Sequence, residues 1–205
     1  MTTTTHAAAP EHVGTDLTRI LLTLKLSGLK DTLPERLTLA RQHQLSHAAF
    51  LELLLADEVT RRESRSAVLR ATKAGLDPTM RLETWDEATH LVYDRALWSD
   101  LTTLRFTQNA TGVLVLGPVG VGKTHLATAL GHIAIRRRLS VAFHRADKLF
   151  TRLRAARLDN TLEAEIRRIT SVDLLIVDLC RYRDYADQGR GRVDVAGLEG
   201  VGLSA

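Results

Sequence analysis

The sequence predicts an α/β fold in which an N-terminal helical module precedes an incomplete three-layer parallel sheet, and three features carry that expectation. From about residue 16 to 75 the apolar positions recur at helical spacing. Val113-Leu-Val-Leu116 is then a continuous apolar run of strand length, followed at once by a glycine-rich loop and another helical run; a strand covered by helices on both faces reads this way. Asp173-Leu-Leu-Ile-Val-Asp178 repeats the apolar run and ends on an acid. The 205 residues, 44% hydrophobic and 25% charged, suffice for one large domain or two small ones and lack the bias of a fibrous or fully disordered chain.

Taken in order, residues 1–15, Thr-rich and then Ala-Ala-Ala-Pro, have no periodicity and are expected to form a disordered tail. The helical module is expected over 16–108. Leu17, Ile20, Leu21 and Leu24 fall at helical spacing, Gly28 interrupts, and Leu33 to Leu45 gives a second pattern with Pro34 at its first turn. Ser46 is placed to cap a long helix through about Lys73, with Phe50, Leu51, Leu54, Leu55 and Val59 on one stripe and Gly75 closing it. Asp77-Pro78 marks a turn, and Leu82 to Phe106 continues with mixed helical signal. Trp85 and Trp98 within it read as packing residues, with stacking on bases as the alternative. A partial nucleotide-binding domain is expected over 109–180: the strand at 113–116, a helix from His125 to Arg138, a strand at Ser140–Phe143, helices from Asp147 to Ala156 and Leu162 to Ile169, and the strand ending at Asp178. Residues 181–205 lack sustained periodicity, carry five glycines in their last seventeen positions, and are expected to be irregular or disordered.

The loop Gly117-Pro118-Val119-Gly120-Val121-Gly122-Lys123-Thr124 fits the pattern G-x-x-x-x-G-K-[ST]. The pattern arises by chance in about one chain of this length in a hundred, and the strand before it and helix after it make it rarer still. Its glycines let backbone N–H groups turn inward around phosphates, and the helix N-terminus adds its positive dipole end. Lys123 is expected to reach the β- and γ-phosphates and the Thr124 hydroxyl to bind Mg²⁺. With His125, these loop residues are the expected ATP contacts. Asp178 is the expected second group of the Mg²⁺ site: a lone carboxylate ending a buried strand is costly in a core but useful beside a phosphate-bound cation.

Charge and composition narrow the partners. The chain carries a net +4, and between Arg136 and Arg168 ten basic residues face four acidic ones. A second basic run comprises Arg61, Arg62, Arg65, Arg70 and Lys73. Such patches attract a polyanion such as DNA through counterion release, although solvated helix faces share the pattern and Arg136, Arg137 and Arg138 also suit the C-terminal end of a helix dipole. The single cysteine, Cys180, excludes an internal disulfide, and the N-terminus lacks a signal peptide's basic start and apolar run, which together point to the cytoplasm. No window is long and apolar enough to span a membrane. Neither the eight histidines with Cys180 nor any Gly-x-Ser-x-Gly element offers a further metal or nucleophile site.

From about residue 17 to 179 the sequence resembles the IstB-like ATP-binding proteins, helper ATPases encoded beside the transposase of an insertion sequence, within the AAA+ class. The resemblance rests on Leu24-Lys-Leu-Ser-Gly-Leu29, Phe50-Leu-Glu-Leu-Leu-Leu-Ala-Asp-Glu58 with Arg61-Arg-Glu-Ser-Arg65, Leu101-Thr-Thr-Leu-Arg-Phe106, Gly122-Lys-Thr-His-Leu-Ala127 and Asp173 to Asp178. It implies ATP-dependent assembly of copies on target DNA and recruitment of the transposase. Gly-Lys-Thr-His-Leu-Ala is shared with the related DnaC-type helicase loaders, so a loader binding a replicative helicase is the alternative, and a non-functional fragment is a third reading.

The sequence departs from that family after Asp178, where the resemblance implies a second acid to polarise the attacking water. Leu179 and Cys180 stand there instead. The family's later elements, including a strand between the loop strand and the Asp178 strand and an arginine given to a neighbouring copy, have no counterpart in 181–205, as in a truncated or frameshifted copy. The two strands would then pair directly, borrow a segment from another copy, or remain partly unfolded. Hydrolysis is expected to be impaired.

Overall fold

A computed structural model describes residues 14–85, 94–109 and 111–179, together with the backbone of 194–198. The chain divides into two compact units between Ser66 and Ala67.

In the first unit, α1 (Thr15–Thr23) and α2 (Leu29–Gln42) precede the start of α3 (His47–Ala74). Leu21, Leu29, Leu33 and Leu54 are buried together. α2 begins at Leu29 rather than Leu33, so Pro34 lies inside the helix. The Ser46 hydroxyl accepts from the Ala49 N–H at 3.2 Å and caps α3 as its position suggests. Glu58, 4% exposed, accepts from Arg61 at 2.8 Å and from Arg62 at 2.6 Å. The Arg61 hydrogen bond acts most strongly, and with Arg62 it outweighs burial to hold the Glu58 carboxyl down to about 2.

The second unit begins within α3. The division falls within the helical stretch read over 16–108, and Ala67, Ala71, Ala74 and Leu76 pack with Leu101, Leu104 and Ile133 in one core. Gly75 ends α3 in the left-handed conformation, φ 78°. A single 3₁₀ turn at Leu82–Thr84 is followed by α4 (Arg95–Thr103) and α5 (Arg105–Gln108). Asp94 caps α4 by accepting from the N–H groups of Ala96 and Leu97. Trp98 packs against the core, as expected of a packing residue.

Among the described residues four strands follow in chain order: β1 (Gly112–Leu116), β2 (Val141–Arg145), β3 (Leu174–Asp178) and β4 (Asp194–Leu198). The helices α6 (Lys123–Arg136), α7 (Ala146–Leu158) and α8 (Leu162–Thr170) lie between them in sequence. β2 and β3 pair in parallel, Val141 opposite Leu174 through Arg145 opposite Asp178. Ser140 clamps the start of that pair: its N–H and hydroxyl both reach Asp173 Oδ2, at 2.7 and 2.6 Å. β1 pairs instead with β4, antiparallel, Gly112 opposite Leu198 through Leu116 opposite Asp194.

The sheet is thus split into two pairs. Among the described residues β1 and β3 are not hydrogen-bonded to each other, although α6 packs on β1, β2 and β3. The fold is α/β, mostly helical with a small parallel sheet, consistent with a partial P-loop NTPase. Part of the segment expected to be irregular is strand, because the exposed edge of β1 supplies a ladder of main-chain partners to a sequence with little strand propensity of its own.

Candidate functional site

The site is assembled where β1 ends, α6 begins and β3 ends. Gly117, Gly120 and Gly122 have φ of 151°, 87° and 83°, so the loop turns through conformations that side chains resist. The Leu126 N–H returns to the Gly122 carbonyl at 3.0 Å and closes the first turn of α6. The N–H groups of Lys123, Thr124 and His125, at the start of that turn, have no intrahelical acceptor and form the donor end of the helix.

Lys123 Nζ donates to the carbonyls of Gly117, at 2.8 Å, and Pro118, at 2.5 Å, folding the side chain over its own loop. Those bonds place the ammonium where a bound phosphate would compete for it. Thr124 Oγ1 donates to Asp178 Oδ2 at 3.2 Å, so the hydroxyl and the carboxylate expected to share a cation lie side by side. Val119 is 68% exposed at the loop's crest. The inward glycine turns, the cation on Lys123 and the hydroxyl–carboxylate pair form a donor set that fits a nucleotide triphosphate with its divalent metal.

The His125 side chain is engaged away from the loop. Its Nε2 lies 2.8 Å from the Arg81 carbonyl, and its ring meets Trp85 edge-on with centroids 5.0 Å apart. The side chain therefore anchors the segment ahead of the site, and its backbone N–H remains among the donors at the start of α6. Trp85 was not legible as a site residue: it stands far from the motif in sequence, yet its ring covers Gly122 so closely that a Cβ there would lie 2.4 Å from Cη2. His132 Nε2, 2.8 Å from the Asp77 carbonyl, and Arg136, 3.0 Å from Glu83, tie the same segment along α6.

Leu179 follows Asp178 and is 63% exposed, lining the same cavity as Thr124 and Asp178. It offers no proton acceptor. Cys180 lies outside the described residues, as do Asp184 and Asp187.

The basic segment is more occupied than its charge count suggests. Arg136 pairs with Glu83, Arg137 donates to the Thr103 carbonyl, and Arg152 pairs with Glu165. Arg154 and Arg157 stand exposed on α7. Among the described residues no helix is long and apolar enough to cross a membrane.

The sequence model of a family described as IstB-like ATP binding protein matches residues 20–194. Three insertion-sequence proteins, each named as a putative ATP-binding protein, are similar to this chain. One from Mycobacterium tuberculosis is 36% identical over 82% of this chain and 67% of its own length. One from Pseudomonas aeruginosa is 32% identical over 82% of this chain and 63% of its own, and one from Sinorhizobium fredii is 35% identical over 77% and 64%. The chain therefore spans about two thirds of the length of these curated relatives.

Proposed function

This chain belongs to the IstB-like ATP-binding protein family, and from that premise we propose that it binds Mg-ATP at the Gly117–Thr124 loop and serves insertion-sequence DNA transposition in the cytoplasm. In this reading it acts on target DNA and on the partner transposase, as an oligomer of copies along the DNA. The observation that carries the reading is the phosphate cradle with Thr124 and Asp178 beside it, 3.2 Å apart. Magnesium, when bound with the nucleotide, supplies charge neutralisation at the β- and γ-phosphates. Lys123 gives up its two loop carbonyls to a phosphate, the α6 N–H groups orient the phosphate chain, and Thr124 and Asp178 hold the metal and its water shell. Insertion-sequence proteins among the relatives favour this helper role over that of a helicase loader.

Calorimetric titration of the full chain with Mg-ATP tests the reading. Saturable binding that Lys123→Ala removes and that weakens without Mg²⁺ is the expected result. Absence of binding by a folded chain, or binding indifferent to Lys123, would reject it. A pull-down with an insertion-sequence transposase tests the partner: retention by the chain is expected, and none would reject it.

A further inference from the structure

We propose that a cavity along β2, bounded by the C-terminal half of α3 and by α7 and α8, docks an acidic peptide segment of a partner protein that carries an apolar side chain between its carboxylates. The cavity measures about 590 Å³ and shares no lining residue with the one beside Thr124 and Asp178. Leu139 and Ser140 lead into β2, and Ser171 and Val172 lead toward β3, so it opens at the N-terminal end of this parallel pair. Asp178 stands at the other end.

Local structure builds its walls. Arg70, in the part of α3 that belongs to the second unit, donates to the Ile135 carbonyl at 3.0 Å and fixes that stretch against the end of α6. Ile135, Val141 and Ile169 are buried, whereas Leu139, Ala142 and Val172 are half-buried and line the cavity with carbon. Aliphatic surface left partly in water is stabilised by an apolar side chain that covers it. At about 590 Å³ the space lies within the range, about 300–1,000 Å³, of pockets that enclose a small ligand.

The rim is cationic. Lys73 and Arg168 are exposed and Arg152 is half-buried. Arg152 pairs with Glu165, and Arg168 Nε lies 3.6 Å from the same carboxylate, so one acid serves two guanidinium groups and Lys73 adds to the surplus. Among the described residues no carboxylate lines the cavity. His144 of β2 registers that surplus: burial first, then Arg152 and Arg168, hold its imidazole below the usual value, with Glu165 acting against them. A surplus of one sign steers segments of the other toward it, and carboxylates at the rim offset it.

The same lining argues against a nucleic acid. Among the described residues no Phe, Tyr or Trp borders the cavity, so a base finds no stacking platform. A phosphodiester backbone, moreover, gains nothing from Leu139, Ala142 and Val172. An apolar side chain flanked by acids uses floor and rim together, as buried anchors ringed by polar contacts do at protein interfaces.

The test uses the full chain without nucleotide, so its outcome is independent of ATP binding. Short fluorescein-labelled peptides with a central Leu, Ile, Met or Phe between pairs of Asp and Glu are titrated against it by anisotropy. At least one should bind saturably at one per chain and slow hydrogen exchange at residues 139–142 and 169–172. Its counterpart with Asn and Gln for the acids, and its counterpart with Ser at the centre, should each bind at least about tenfold more weakly, a difference of about 1.4 kcal/mol. Lys73→Glu with Arg168→Glu, both at exposed positions, should weaken the peptide by a similar factor and leave Mg-ATP binding and the melting temperature close to wild type. No binding by any of the peptides, equal binding of either counterpart, or indifference to the double variant would each overturn the proposal. A single-stranded oligothymidylate that protects the same amides would overturn it too, and would assign the cavity to nucleic acid.

Discussion

Thr124 Oγ1 donates to Asp178 Oδ2 at 3.2 Å, joining the first turn of α6 to the C-terminal end of β3. The two groups come from separate elements, yet stand where one cation would touch the hydroxyl and the carboxylate would hold that cation or its water. Asp178→Asn keeps the size of the side chain and removes its charge. The variant should lose about 10–100-fold of the affinity that Mg²⁺ adds for ATP, while metal-free nucleotide binding stays close to wild type. Titrations with and without Mg²⁺ measure the difference, and an unchanged magnesium increment would remove Asp178 from the metal site.

Gly122 is constrained twice. Its φ of 83° costs a side-chain-bearing residue about 1–2 kcal/mol, and a Cβ would lie 2.4 Å from the Trp85 ring. Gly122→Ala should therefore lower the melting temperature and weaken nucleotide binding. Adding Trp85→Ala should restore the portion due to the ring and leave the backbone portion. Thermal melts of the single and double variants separate the two; full recovery in the double variant would show that the backbone conformation carries no cost.

Glu58 makes the first unit sensitive to acid. Its carboxyl is held to about 2, below its ordinary value of 4.5, first by the hydrogen bond from Arg61 and then by Arg62. A depressed folded value stabilises the native state above the unfolded value; the contribution fades as pH falls from about 4.5 toward 2. Glu58→Ala should cost about 1–3 kcal/mol at neutral pH, because its two arginines are half-exposed and regain water when the carboxylate is lost. Urea unfolding followed by circular dichroism at pH 7 and pH 3 checks both statements, since the gap between wild type and variant should narrow at the lower pH.

If the proposed action on DNA holds, its contact is best sought on α7. Arg136 and Arg137 are engaged by Glu83 and by the Thr103 carbonyl, so replacing the run at 136–138 would disturb packing as well as charge. Arg154 and Arg157 are exposed. Arg154→Ala with Arg157→Ala should weaken binding to duplexes of any sequence and reduce the slope of log affinity against log salt by about 2. Anisotropy titrations over a range of salt read that slope directly; an unchanged slope would move the contact elsewhere.

What was legible in the sequence was what is local. The loop from Gly117 to Thr124 and the acid at Asp178 announce themselves because phosphate and metal chemistry fixes residue types at short spacing. Trp85 did not, because nothing near it in sequence refers to Gly122; the ties of His125, His132 and Arg136 to residues 77–83 bring the two together. The division at Ser66 was hidden because the helical periodicity of α3 runs unbroken through it. β4 was hidden because its pairing is supplied by the edge of β1 and not by its own residues.

Leu179 sets the last expectation, that Mg-ATP is bound but turned over slowly. Binding draws on the glycine turns, Lys123, Thr124 and Asp178. Hydrolysis needs in addition a group that orients and deprotonates water, and the residue after Asp178 is an exposed leucine with no acceptor. Absence of a positioned base lowers the rate by about 10²–10⁴-fold. Starting from a common enzymatic rate of about 10 s⁻¹, turnover should fall to about 0.1 s⁻¹ or below. Leu179→Glu should leave nucleotide affinity unchanged, because the side chain lies beyond the residues that hold phosphate and metal. Phosphate release measured beside equilibrium binding on one preparation decides the matter. Wild-type turnover near 10 s⁻¹ would mean that a carboxylate elsewhere in the chain serves as base, and Asp184→Asn and Asp187→Asn would be the variants to identify it.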